Sequence, residues 1–371
     1  MNSSANNLQD TIQNLLNTAV AEGRETGAQV AVYVNGKLVV DAWAGVADVR
    51  SGAPVDAETL FPVFSTTKGL EATVIHMLAE RRQLEYDTPI AHYWPEFAAN
   101  GKEAITVRHA LSHQSGIPYM PVGIDHKELC DWDTMCRLVA QLKPAWPAGH
   151  KTFYHPVTYG WILGEVARRV DGRHFQPFVD EEICEPLGIS TMFAGIPARL
   201  ESRVAHLEEF WDPAPPTATP PPPPNPAEQG VPVFMNPLAD WMNRSDARRA
   251  CIPASNGIMN ARAIARHYAA LLPGGVDGIE LLCPERLQLA TQLQIPGEGF
   301  VEGTTPRKGL GYGLGDGGSV TGFGHGGYGG SAGYGNSPYR LAVGVTRNRF
   351  SNHDLAGAVA KEIREALGIT S

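Results

Sequence analysis

A serine and a lysine stand three residues apart in Ser65-Thr-Thr-Lys68, at the start of a run of apolar residues with helical spacing. The apolar positions between Leu70 and Leu78 recur every three or four residues, so the pattern predicts a helix with Ser65 at or inside its first turn. Two side chains with this spacing share one face of a helix. A serine hydroxyl needs a nearby base to act as a nucleophile, and a lysine serves when burial lowers its pKa. The alternative is a helix cap followed by a solvated lysine.

A second candidate for proton transfer is Tyr154, in Phe153-Tyr-His-Pro156. Proline suits the first turn of a helix, so we expect a helix to begin near Pro156 with the tyrosine directly before it. A phenol in that position could point into a cleft and relay protons. On these residues alone, an aromatic side chain of the core or of the cleft rim is the favoured interpretation.

The third candidate is the glycine-rich stretch from Thr321 to Gly335, which contains His325-Gly326-Gly327-Tyr328. Glycines let a ligand approach the backbone closely, and a strand edge there could present an amide to a developing oxyanion. The alternative is a glycine-rich hairpin with a buried histidine.

Two further patterns in this stretch are interpreted as coincidental. Gly329-Gly-Ser331-Ala-Gly333 fits Gly-x-Ser-x-Gly, but only His353-Asp354 follows, in reversed order for a hydrolase elbow. Gly324 to Gly329 fits Gly-x-Gly-x-x-Gly, but no helical pattern follows it, so no dinucleotide site is predicted.

Strand signals lie near both ends of the chain, and helical signals fill the middle. The predicted elements are a helix from Leu8 to Ala21, a hairpin turning at Asn35-Gly36, helices over most of residues 86–200, a helix from Ala261 to Leu272, a strand from Tyr339 to Arg347 and a helix from Asp354 to Leu367. This order predicts an α+β protein. Residues 1–85 and 245–371 are expected to form a sheet domain, and residues 86–244 an inserted, mainly helical domain.

Residues 212–230 are rich in proline and are expected to be extended. The favoured interpretation is a surface excursion. A lid over the cleft, a spacer or a ligand for an SH3-type domain are the alternatives.

Composition excludes several classes of protein. The chain has 371 residues, 43% hydrophobic and 19% charged, with a net charge of −9, which argues against nucleic acid and anionic membrane surfaces as partners. The polar N-terminus lacks a secretory pattern, and no apolar run is long enough to span a membrane, so a cytoplasmic location is expected. The five scattered cysteines are interpreted as free thiols, and no metal or cofactor is predicted.

Taken in order, Ser65-Thr-Thr-Lys68, Tyr154 before a helix, and His325-Gly-Gly before a terminal strand resemble the serine β-lactamase and penicillin-binding-protein superfamily. The likeness is greatest to class C β-lactamases and family VIII carboxylesterases. The resemblance covers roughly residues 10–367, with further matching segments at residues 87–96, 105–118, 254–262 and 311–315. The resemblance implies an antiparallel sheet flanked by helices, an all-helical domain and a cleft between them.

The resemblance also implies roles for individual residues. Ser65 would be the acylated nucleophile, with Lys68 and Tyr154 sharing the proton transfers. The backbone amides of Ser65 and Tyr328 would form the oxyanion hole. His325, Gly326 and Gly327 would take the place of the Lys-Thr-Gly triplet that contacts substrate.

Departures from the superfamily pattern suggest the substrate class. Pro156 stands where β-lactamases place an asparagine that binds a substrate amide, and His325 and Gly326 replace a lysine and a threonine that help to hold a carboxylate. We therefore expect a serine carboxylesterase for short-acyl or uncharged small-molecule esters, with weak β-lactam turnover at most. The alternatives are a β-lactamase, a D-amino-acid peptidase, an acyltransferase, or a silent binding protein that uses its polyproline segment.

Overall fold

The computed structural model describes residues 2–211, 225–315 and 322–369. Within these ranges the strands are β1 Gly27–Val34, β2 Lys37–Asp48, β3 Ala53–Pro54, β4 Phe61–Phe64, β5 Met192–Ala194, β6 Glu208–Phe210, β7 Gly257–Met259, β8 Gly313–Leu314, β9 Phe323–Gly326, β10 Ala332–Asn336, β11 Leu341–Arg347 and β12 Arg349–Ser351.

The α-helices in the same ranges are α1 Asn2–Ala21, α2 Thr67–Glu80, α3 Ile90–Tyr93, α4 Val107–Leu111, α5 His126–Cys130, α6 Trp132–Ala140, α7 Thr158–Asp171, α8 Phe175–Val179, α9 Glu185–Leu187, α10 Leu238–Met242, α11 Ser245–Arg249, α12 Ala261–Leu271, α13 Pro284–Ala290 and α14 Leu355–Leu367. A π-helical turn spans Asp180–Cys184, and 3₁₀ turns span Pro95–Ala98, Ala198–Arg203, Pro226–Glu228 and Val233–Met235.

The main sheet has seven strands in the order β3-β2-β1-β11-β10-β9-β8, and every neighbouring pair is antiparallel. Its centre joins the two ends of the chain, because β1 pairs with β11 in a register that places Val30 opposite Val345. This confirms the predicted fold class, an antiparallel sheet whose strands come from both ends of the sequence.

The turn between β1 and β2 confirms the predicted hairpin. Asn35 and Gly36 have φ values of 52° and 73°. Two successive residues with positive φ give a turn whose twist matches that of the flanking strands, and asparagine and glycine adopt this conformation at little cost.

Helices cover both faces of the sheet. On one face, α1 and α14 pack their apolar sides on the sheet in a cluster that includes Leu8, Ile12, Val30, Val345 and Val359. On the other face α12 packs on β1, β10 and β11. The spacing of apolar residues predicted all three of these helices, with ends that differ from the structure by a few residues at most except at the start of α1.

Helix α2 runs through the interior of the molecule. All of its residues from Thr67 to Ala79 are buried, including Lys68 and Glu71. The helix packs against α7, α13 and β9, so it is enclosed rather than amphipathic. Burial of this helix on every side is what removes its polar side chains from water.

A second, three-stranded sheet has the order β4-β7-β5. Because β5 lies at residues 192–194 and β7 at residues 257–259, this sheet connects the two predicted domains. The division into residues 1–85 with 245–371 and residues 86–244 stays a prediction.

Part of the proline-rich segment, residues 212–224, lies outside the described residues. The remainder includes the 3₁₀ turn Pro226–Glu228 and Gly230, which packs on Pro156. None of the described helices combines the length and the apolar character that crossing a membrane requires. The five cysteines are free thiols, as predicted.

Candidate active site

Ser65 lies at the junction between β4 and α2. It precedes Thr66, the residue that caps α2, so of the two predicted positions, at or inside the first turn, it takes the one at the start of the helix. Phe64, immediately before it, has a φ of 46°, a left-handed conformation that is uncommon for an aromatic residue and is found preferentially at functional sites. The Thr67 hydroxyl donates to the Phe64 carbonyl at 2.5 Å and accepts from the Gly257 amide at 2.9 Å, which fixes this sharp turn.

Lys68 is fully buried, and its Nζ lies 3.1 Å from Ser65 Oγ. The same Nζ donates to the carbonyl oxygen of Pro156 at 2.7 Å and to that of Ala254 at 2.8 Å. Burial lowers the pKa of Lys68 well below its usual value; the nearby Glu71 opposes this shift and Lys308 adds to it. The predicted contact between serine and lysine is present.

The hydrogen bonds of Lys68 match those of a neutral amine. A neutral amine has two N–H donors and one lone pair. The two carbonyls accept the two N–H groups, and the lone pair is then free to accept the proton of the Ser65 hydroxyl. The same three oxygens would equally suit an ammonium group, so it is the burial of Lys68, which lowers its pKa, that favours the neutral form a base requires.

Tyr154 contributes a buried phenol next to this pair. Its ring centroid lies 5.0 Å from Lys68 Nζ. Its hydroxyl is buried and has no hydrogen-bond partner within the described residues. Burial raises the pKa of Tyr154 to about 12, a shift that the nearby Ser65 side chain opposes. The following helix, α7, begins at Thr158, two residues later than predicted.

The end of β9 lies directly against the turn that carries Ser65. A Cβ on Gly327 would fall 2.1 Å from the Val63 carbonyl oxygen and 2.9 Å from Thr66 Oγ1, so only glycine fits there. The Thr66 hydroxyl also donates to the Ser331 carbonyl at 3.2 Å. These contacts bring the backbone around Tyr328 beside Ser65.

The amides of Ser65 and Tyr328 donate no backbone hydrogen bond within the described residues. Two free amides beside a nucleophile could bind an oxyanion. β9 pairs with β10 along its length, whereas β8 pairs only with its residues Phe323 and Gly324. Within the described residues, the edge of β9 at His325 and Gly326 is therefore not covered by β8, and Tyr328 lies in the turn that follows. The alternative of a glycine-rich hairpin is also present, because β9 and β10 form one.

His325 is neutral in this environment. Burial lowers its pKa well below the usual value, and Lys308, or Lys68 whenever it is protonated, lowers it further. Its Nδ1 lies 2.7 Å from the Gly326 carbonyl oxygen, while its Nε2 is buried and has no partner within the described residues. The strand position that would carry a cation in the superfamily pattern therefore carries none here.

Lys308 is a site residue that the sequence analysis missed. Its Nζ lies 5.3 Å from the centroid of the Tyr154 ring, and burial lowers its pKa to about 8. The available signal was its place three residues before the matching segment Gly311–Gly315. No residue type or spacing distinguishes it from a solvated lysine.

Glu71, one helical turn after Lys68, is also buried in the interior. Both of its carboxyl oxygens lack a hydrogen-bond partner within the described residues. Burial raises its pKa well above the usual value, and the charge of Lys68 only partly offsets this. A protonated Glu71 leaves the lysine without a carboxylate that would hold it charged. No cluster of potential metal ligands occurs in the described part of the chain.

The two coincidental patterns are confirmed as such. Ser331 is buried and leads into strand β10 rather than a helix. His353 lies 2.6 Å from Glu25 and takes part in a cluster with Arg347. Strand β10 likewise replaces the helix that a dinucleotide site would need after Gly329.

The sequence is similar to a known family and to characterised relatives. Residues 12–368 match the beta-lactamase family. Among curated proteins, the esterase/beta-lactamase LipL of Mycobacterium tuberculosis is 37% identical over 266 residues, which cover 70% of this chain but only 62% of that relative.

Among solved structures, a penicillin-binding-protein homolog from Caulobacter crescentus is 34% identical, with a TM-score of 0.82 over 97% of each chain. A family VIII carboxylesterase is 29% identical, with a TM-score of 0.84 over 97% of each chain. The predicted fold and the predicted resemblance are confirmed by these similarities.

Proposed function

The chain belongs to the beta-lactamase family of serine hydrolases, and from this we propose that it is a carboxylesterase. It would hydrolyse short-acyl esters through an acyl-enzyme on Ser65. The observation that carries this proposal is the 3.1 Å contact between Ser65 Oγ and a fully buried Lys68 Nζ. A hydroxyl beside a neutral amine is the arrangement that nucleophilic catalysis by serine requires.

In the proposed acylation step, Ser65 Oγ bonds to the ester carbonyl carbon while its proton passes to Lys68 Nζ. The amides of Ser65 and Tyr328 stabilise the oxyanion that forms. Collapse of this intermediate breaks the bond to the alcohol oxygen, which takes the proton from Lys68 by way of the Tyr154 hydroxyl. A water molecule then attacks the acyl-enzyme, releases the acid and restores the Ser65 hydroxyl.

Two features favour esters over amides. Pro156 supplies only its carbonyl to the site, and that oxygen is occupied by Lys68. A substrate amide therefore finds no side-chain partner at this position. In addition, an alkoxide leaves more readily than the nitrogen anion that an amide would expel without protonation, so an ester needs less proton transfer to the leaving group at that step.

We propose that an apolar cavity near Pro156 receives an apolar part of the substrate; Ser65, Lys68 and Tyr154 are not among the residues that line it. A cavity of about 390 Å³ lies between residues 120–124 and 229–234, with Met120, Val122, Ile124 and Phe234 among its lining residues. Gly230 packs on the Pro156 ring, so this cavity lies next to the segment that holds Lys68. Binding sites for small molecules are commonly lined by apolar side chains with a few polar groups.

Labelling with a fluorophosphonate probe, followed by peptide mass spectrometry, tests the proposal. The expected adduct is on the peptide that contains Ser65, and it should be absent from Ser65→Ala. An adduct on another serine, with hydrolysis of p-nitrophenyl acetate retained in Ser65→Ala, would overturn the proposal.

Weak β-lactam hydrolysis is a second candidate, favoured by the retained serine, lysine and tyrosine and by the 37% identity to a protein named esterase/beta-lactamase. Steady nitrocefin turnover together with poor turnover of p-nitrophenyl esters would make it the main activity.

A further inference from the structure

We propose that Lys308 is a specificity-determining residue that binds a carboxylate on the alcohol part of the ester. This inference rests on the proposed esterase function and narrows its substrate class. It replaces the expectation of an uncharged substrate, which assumed that loss of the strand lysine at position 325 leaves the cleft without a cation of its own.

Lys308 reaches the site from a short ladder at the end of the main sheet. Its backbone bridges to Gly313, and Gly313 pairs with Gly324, the residue before His325. A Cβ on Gly313 would lie 4.0 Å from Lys308 Nζ, which shows that the ammonium group passes over this glycine. From there it reaches the Tyr154 ring, 5.3 Å from the centroid.

The ammonium group has no charged partner among the residues that the structure describes. In the described ranges no carboxylate lies within 4.0 Å of Lys308 Nζ, and the burial that lowers its pKa is opposed by no nearby negative charge. Its electrostatic neighbours are Lys68, His113 and His325, whose pKa values its charge lowers. Tyr154, whose pKa is raised, also faces it among the described residues.

Lys308 is partly buried, and a cation held among neutral or basic groups is stabilised when a ligand supplies the opposite charge. Structural lysines in this protein are satisfied differently. The buried Lys102, for example, donates to the backbone carbonyls of Ala99 and Leu142. Lys308 has no such hydrogen bond within the described residues, so its free donors are available to a substrate carboxylate.

The position of Tyr154 indicates that the alcohol part of the ester, rather than the acyl part, lies next to Lys308. The Nζ atoms of Lys68 and Lys308 lie 5.0 and 5.3 Å from the centroid of the same tyrosine ring. In the proposed reaction the leaving oxygen takes its proton through this tyrosine. The alcohol part is therefore released next to Lys308, where a carboxylate on it can meet the ammonium group.

A matched pair of substrates tests this directly. 4-Acetoxybenzoate carries a carboxylate on the leaving group, and methyl 4-acetoxybenzoate is its neutral counterpart. We expect Lys308→Met to lower the ratio of kcat/KM for the anionic to the neutral ester by about tenfold or more, the size of a charge-assisted hydrogen bond, mainly through KM. Lys308→Arg should restore most of the ratio.

Two further readouts separate charge recognition from a structural role. The ratio should fall as the pH rises through about 8, because Lys308 loses its proton there, and this pH dependence should vanish in Lys308→Met. If the ratio of kcat/KM for the anionic to the neutral ester in Lys308→Met stays within twofold of the wild-type ratio at pH 7, the proposal is overturned.

Binding of the alcohol product tests the same contact without relying on hydrolysis. By calorimetry, 4-hydroxybenzoate should bind Ser65→Ala protein about tenfold more tightly than it binds the Ser65→Ala, Lys308→Met double variant. Methyl 4-hydroxybenzoate should show no such difference. Equal binding of 4-hydroxybenzoate to the two proteins would overturn the assignment of Lys308, whereas a failure of wild type to hydrolyse either ester would overturn the esterase function instead.

Discussion

The backbone of Gly327 lies against the carbonyl of Val63 so closely that a Cβ on Gly327 would fall 2.1 Å from the Val63 oxygen. These two residues are far apart in the sequence, and their contact sets the distance between the turn after β9 and the nucleophile turn. The proposed oxyanion hole has one amide on each side of this contact. Its geometry therefore depends on the absence of a side chain at one position.

Gly327→Ala should lower kcat for p-nitrophenyl acetate by at least about 10²-fold, the usual scale for loss of an oxyanion donor. The added methyl group meets backbone, which cannot move aside as a flexible side chain can. Gly326→Ala is the matched comparison, since a Cβ there meets only the Ser331 oxygen at 3.9 Å. Equal losses in both variants, in proteins with the same melting temperature, would contradict this account.

Ser65→Ala should lower kcat for ester hydrolysis by about 10⁴- to 10⁶-fold, as for other covalent nucleophiles. Ser331→Ala is the control, because the Ser331 hydroxyl is buried and has no hydrogen-bond partner within the described residues. Its removal should leave hydrolysis close to that of wild type. More than a tenth of the wild-type rate in Ser65→Ala would remove this serine from the mechanism.

Lys68→Arg should be as inactive as Lys68→Ala, with each losing at least about 10²-fold in kcat/KM. A guanidinium group stays protonated at any accessible pH and cannot accept the serine proton. In wild type, kcat/KM for a neutral ester should rise with pH as Lys68 loses its proton, with a midpoint well below the ordinary lysine value of 10.5. Substantial activity in the arginine variant would show that a positive charge, rather than a base, is needed at this position.

Pro156→Asn should raise the ratio of nitrocefin to p-nitrophenyl acetate turnover, by up to about tenfold if one hydrogen bond is gained. The substitution supplies the side-chain amide that the proline lacks, while the backbone carbonyl that accepts from Lys68 Nζ is retained. Pro156→Ala separates the effect of the new amide from that of losing the ring, which packs on Gly230. A ratio no higher in the asparagine than in the alanine variant would refute the substrate argument.

Stability should fall steeply in mild acid because several histidines are buried. Burial lowers the pKa of His76, His155 and His267 to about 3. The unfolded chain takes up a proton near pH 6.5 at each of these positions, whereas the folded chain does so only near pH 3. Each therefore removes stability as the pH falls through this window, by about 2 kcal/mol at pH 5.

Urea unfolding at several pH values measures this effect. Between pH 6 and 4, the slope of the unfolding free energy against pH reports how many protons are taken up on unfolding. His267→Gln should reduce that number by about one. His92→Gln, at an exposed position, is the matched control. If His267→Gln leaves the slope of the unfolding free energy against pH unchanged, the loss of stability in acid comes from other groups.

Local sequence patterns determined much of the fold. The Asn35-Gly36 turn, the apolar spacing of α12 and α14, and the αL glycine at position 368 that ends α14 each depend on neighbouring residues only. Such signals act over a few residues and can be detected without the rest of the chain. The spacing of Ser65 and Lys68 belongs to the same class, because a single turn of backbone joins them.

The tertiary structure alone decided how the site is surrounded. Lys68 is inaccessible to solvent because α2 is enclosed on every side. Its two carbonyl acceptors belong to Pro156 and Ala254, which lie in distant segments of the chain. Lys308 enters the cleft because a glycine-lined ladder at the end of the sheet gives its side chain room to reach Tyr154. Burial and charge at one position depend on atoms contributed by many segments, whereas a pattern of residue types records only what stands nearby in the chain.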